Sequence, residues 1–80
     1  MAGLDIHYQS GEEIQVGDRI DYAGQPGTVV FVLGTRSFAP GFPEKDWSYL
    51  GRGFMVDVQG MGLIHFEEAD EDLTLSARVG

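Results

Sequence analysis

The chain has 80 residues, 42% of them hydrophobic, no cysteine, and thirteen acidic side chains against five basic ones, for a net charge of −8. That length leaves room for one core, since so short a chain buries only about 60% of the surface its unfolded form exposes; the apolar content excludes intrinsic disorder, and the missing thiols exclude disulfides and thiolate metal sites. The acidity disfavours direct nucleic-acid binding, whose affinity comes mainly from Lys and Arg displacing counterions.

The first segment, LDIHYQ, alternates Leu4, Ile6 and Tyr8 with Asp5, His7 and Gln9, the period of a half-buried strand. SGEE interrupts it, and IQVGDRIDY carries Ile14, Val16, Ile20 and Tyr22 about a turn expected at Gly17 and Asp18. In AGQPGTVVFVLG a hairpin is expected, with Pro26 presetting one turn dihedral and Gly24 and Gly27 supplying positive φ. Thr28 to Leu33 is an unbroken β-branched and aromatic run, the pattern of a strand covered on both faces, and is predicted to be central.

Residues 37–51, SFAPGFPEKDWSYLG, place four of the nine aromatic side chains in a stretch broken by proline and glycine. Only PEKDWSYL within it has helical character, with Pro43 suited to a first helical position and acids near the positive end of the dipole, so one short turn is predicted. GFMVDVQG then alternates Phe54, Val56 and Val58 with Met55, Asp57 and Gln59, and MG turns into LIHFE, which predicts a second hairpin. DLTLSARV supplies a last strand with Leu73, Leu75 and Ala77 on one side.

These elements predict a mainly β protein: a single small SH3-like domain over residues 1–80, built as a barrel or curled antiparallel sheet of five to six strands with one long loop. Residues 16–32, VGDRIDYAGQPGTVVFV, resemble the first hairpin of SH3-like modules of the KOW and CAP-Gly kind, over about a fifth of the chain. A CAP-Gly domain would carry a Gly-Lys-Asn-Asp-Gly signature, which this chain lacks, and KOW modules are usually basic, so the resemblance bears on fold. The whole chain is also similar to small acidic bacterial domains that include immunity proteins of contact-dependent or secreted toxins.

The acid run FEEADED gathers Glu67, Glu68, Asp70, Glu71 and Asp72. It lacks the alternate acids, central glycine and distal glutamate of a calcium loop; it reads as a solvated turn between strands, or as a docking site for a Lys/Arg-rich surface. His7 and His65 have no second histidine nearby, whereas a metal site needs three or four converging ligands. The scattered serines Ser10, Ser37, Ser48 and Ser76 sit in no nucleophile motif, and no phosphate-binding pattern is present. No catalytic residue, metal or cofactor is expected. Arg52, between Gly51 and Gly53, reads as part of a turn or as a donor to a ligand carboxylate.

Within the 37–51 segment, Trp47 and Tyr49 flank the helical turn and are expected to face inward. Phe38 and Phe42 lie beside proline or glycine, where exposed aromatics serve as interface anchors. The expected function is non-catalytic protein binding: an inhibitor or immunity-type protein that neutralises a basic partner through the acid run and the aromatics, or alternatively an SH3-like module that takes an extended peptide or a larger assembly's surface through the 37–51 loop. The start MAGLDIHYQS has no basic, apolar leader pattern and VVFVL is too short to span a bilayer, so a bacterial, cytoplasmic protein with no membrane contact is expected. An open sheet edge is compatible with a homodimer.

Overall fold

The uninterrupted β-branched run in the middle of the chain organises the sheet. In the computed structural model, which describes residues 7–78, all of this run but Leu33 lies in β2 (Gln25–Val32), the longest of the described strands. β2 pairs antiparallel with β1 (Arg19–Tyr22) along its first half and with the short β3 (Ser37–Phe38) along its second. Its other side pairs with β4 (Phe54–Val58), which forms a hairpin with β5 (Gly62–Phe66). β6 (Leu73–Ala77) pairs with β1, giving a six-stranded sheet of order β5-β4-β2-β1-β6 with β3 beside β2. β2 is therefore central, as its composition predicts.

The sheet curls but stays open, with β5 and β6 at the two ends of the path. β5 and β1 are three strand spacings apart, about 14 Å across a flat sheet, yet the rings of Phe66 and Tyr22 meet edge-on at 5.2 Å between centroids. The face that closes on itself holds the larger cluster: Tyr8, Ile14, Ile20, Val29, Val32, Phe54, Val56, Val58 and Leu73. The opposite, convex face holds a smaller one of Val30, Phe31, Leu33 and Met55. Alternation in β4 divides its side chains between these faces: Phe54, Val56 and Val58 point to the concave side and Met55 to the convex one.

Two local expectations shift. The first hairpin turns at Ala23 and Gly24, both at positive φ (51° and 86°), and not around Pro26 and Gly27. A two-residue turn of this hand matches strand twist, and glycine accepts its backbone at no steric cost. Pro26 pairs with Asp21 inside the ladder, while at Gly27 a Cβ would lie 2.9 Å from the Asp57 carbonyl, so small size is the property used there. At the other end, Leu4, Asp5 and Ile6 of the first expected strand lie outside the described residues. Its remainder shows the predicted phase, with Tyr8 buried and His7 exposed, but pairs only through an isolated bridge from His7 to Glu13.

Candidate functional site

Phe31 explains most of the aromatic loop. Its ring occupies the convex face, with the rings of Phe38, Trp47 and Phe42 at 5.2, 5.4 and 6.3 Å. α1 (Glu44–Trp47) follows Pro43, whose carbonyl accepts the Asp46 N–H at 3.0 Å, and turns Trp47 onto this cluster. Arg36 fastens the start of the loop to α1 through Glu44 at 2.9 Å. A tight turn, Ser48–Leu50, then sets Leu50 against the same cluster and leaves Tyr49 76% exposed. Trp47 and Tyr49 thus part company, one inward and one outward, while Phe38 and Phe42 are half-buried against Phe31. A four-residue helix shows only one side to the sheet, and a 3-10 continuation rotates the next residues away from it.

The acid run forms the connection from β5 to β6. Asp70 organises it: a side-chain oxygen accepts the Asp72 N–H at 2.9 Å and its carbonyl accepts the Leu73 N–H at 3.0 Å. The Asp72 carbonyl accepts the Ala23 N–H at 3.3 Å, fixing the connection to the first hairpin, and the Gln9 amide donates to the Ala69 carbonyl at 2.9 Å. Glu67, Glu68, Glu71 and Asp72 are exposed and Asp70 is half-buried. The C-terminal end of the aromatic loop meets the start of this run, where Arg52 pairs with Glu67 at 3.3 Å and its carbonyl bonds the His65 ring at 2.8 Å.

Charge is distributed unevenly over this surface. Arg36, Arg52 and Arg78 each hold a carboxylate, and among the described residues Arg19 and Lys45 are the cations without an ion pair. Glu68, Asp70, Glu71 and Asp72 form no ion pair among the described residues, and all but the half-buried Asp70 are exposed. Among the described residues, the large hydrophobic side chains that stand exposed besides Tyr49 are Met61 and Leu63, which lie on the β4–β5 hairpin, away from either expected site. Among the described residues no three His, Asp or Glu side chains are grouped to hold a metal ion, and no helix is long and apolar enough to cross a membrane.

Asp18, read from the sequence only as a turn residue, is 1% exposed and carries the densest polar network of the fold. Its carboxylate accepts the Tyr8 hydroxyl at 2.7 Å and the Gln15 N–H at 3.0 Å, and a forked pair of bonds from Arg78 at 3.0 and 3.2 Å. No local signal announces this site, because Arg78 is 60 positions away. Burial, reinforced by the hydrogen bond to Asp18 and its charge, pushes the Tyr8 phenol far above its ordinary value near 10. The hydrogen bonds that Arg78 itself donates to Asp18, reinforced by the Asp18 charge, hold the guanidinium proton more firmly.

The Tyr8 shift has a definite consequence at alkaline pH. Above about pH 10 the unfolded chain releases this proton while the folded chain keeps it, so stability falls as pH rises, by about 1.4 kcal/mol per unit. Urea unfolding from about pH 9 to about pH 12 is expected to show this slope in the wild type and a shallower one in Tyr8→Phe. Equal slopes would refute the assignment.

Comparison of the chain with protein-family models, with curated proteins and with solved structures finds no match in any of the three.

Proposed function

We propose that the protein is a non-catalytic binding domain of the inhibitor or immunity type, which neutralises a basic protein partner through the acidic β5–β6 connection. One observation carries this reading: among the described residues Glu68, Asp70, Glu71 and Asp72 stand together without an ion pair, on a connection that backbone and side-chain bonds hold at both ends. A connection whose backbone is already held loses little conformational freedom on docking, and a field of one sign raises the encounter rate with an oppositely charged partner. The alternative, an SH3-like module for extended peptides, has less to stand on, because Phe38, Phe42 and Trp47 pack against Phe31 and Tyr49 alone offers an exposed ring.

The test is affinity capture from the source organism at low salt, followed by titration of the retained partner against variants. A basic partner is expected, bound at least about tenfold more weakly once Glu68, Asp70, Glu71 and Asp72 are changed to Lys, and released between about 50 and about 500 mM salt. Tyr49→Ala is expected to change affinity far less. Extended segments retained at any salt, and lost on Tyr49→Ala but not on charge reversal, would replace this reading with the peptide module.

A further inference from the structure

The Asp18 network lies outside both surfaces considered for binding and joins the two ends of the described chain. Residues 7–16 form a strap whose Tyr8 and Ile14 enter the concave cluster beside Ile20, Val29 and Val58. Among the described residues the strap's own backbone bonds are few. The Tyr8 N–H donates to the Glu12 carbonyl and the Gly11 N–H to the Tyr8 carbonyl, each at 2.9 Å, and one bridge joins His7 to Glu13. The chain joins the sheet only just beyond the strap, where the Gly17 N–H donates to Val29 at 2.9 Å and the Val29 N–H to Asp18 at 3.0 Å. β6, at the opposite end of the chain, is an edge strand whose ladder partner is β1.

Arg78, immediately after β6, ties the strap to this strand. One of its terminal nitrogens donates to the Glu13 carbonyl at 2.6 Å, and its fork grips Asp18, which in turn holds Tyr8 and Gln15. The arginine therefore restrains the strap directly at Glu13 and indirectly at Tyr8 and Gln15. We propose that Asp18 and Arg78 form a clasp that makes the strap and β6 open and close as one unit, separately from the β2–β4–β5 half of the sheet. Opening uncovers the concave apolar face and the β1 edge together, since both covers are released by the same break. Segments near the chain ends, held by few backbone bonds or laddered on one side, are candidates to open below the global unfolding limit, in contiguous cooperative units.

Native-state amide exchange tests the clasp in wild type and in Arg78→Gln. Loss of the arginine is expected to speed exchange across residues 8–18 and 73–77 by one common factor of at least about tenfold, with far smaller changes at the amides that pair β2, β4 and β5. Acceleration confined to residues 73–77 with the strap unaffected, or equal acceleration in every strand, overturns the proposal. Should Arg78→Gln fail to fold, Arg78→Lys is judged by the same criterion, because a single ammonium cannot hold both Asp18 oxygens and the Glu13 carbonyl in one fork.

Discussion

Gly53→Ala is expected to leave the chain close to its unfolding limit. A Cβ at this position would lie 2.0 Å from the Phe66 carbonyl oxygen and 2.8 Å from the Glu67 Cα, both backbone atoms, and φ is +97°. Neither the clash nor the left-handed backbone can be relieved by turning a side chain. Relief requires β4 and β5 to separate where Phe54 pairs with Phe66, opening the concave cluster at its stacked rings. A cost on the order of 4 kcal/mol is expected, against a total stability for such a domain of roughly 4–12 kcal/mol. The melting temperature should fall by roughly 15–30 °C. Gly51→Ala is the control: φ is +86° but nothing lies within 4 Å of the added carbon, so only the backbone strain of about 1–3 kcal/mol remains. Similar melting temperatures for the two variants would show that the close approach of Gly53 to Phe66 contributes nothing.

Asp18→Ala is expected to have the second large effect, on the order of 3–5 kcal/mol by urea unfolding. The substitution removes the acceptor of the Tyr8 hydroxyl and the Gln15 N–H in a site that is 1% exposed. Each donor left buried without a partner costs about 1–3 kcal/mol. Asp18→Asn keeps the shape and one acceptor oxygen but turns an N–H₂ towards either Tyr8 or Arg78, so an intermediate loss is expected. An alanine variant as stable as wild type, or one more stable than the asparagine variant, would show that the network is dispensable.

Much of the architecture is legible in the order of residues. The alternation of Phe54, Val56 and Val58 places them on one face, as the structure has them. The run Thr28 to Leu33 announces a strand covered twice, and the curled sheet covers its concave side while the 37–51 loop covers its convex side. The acid run is readable as a connection because charged residues next to a glycine-bounded hairpin have no apolar period. Of the candidate site, the acids are thus placed by the sequence, but the fate of the aromatics is not. Proline and glycine remove periodicity from residues 37–51, and the division of Trp47 from Tyr49 depends on where Phe31 stands.

What the sequence by itself determined is therefore local: strand periods, the central strand, the two hairpins and a surface biased to one sign of charge. A period of two states that a face is buried without naming what buries it. Only the tertiary structure decided that Phe31 gathers three loop rings, that Gly53 must lack a side chain because β5 passes against it, and that Asp18 is the anchor of Tyr8 and Arg78. Those partners lie far apart along the chain, and they meet only after the sheet has curled and brought them within bonding distance.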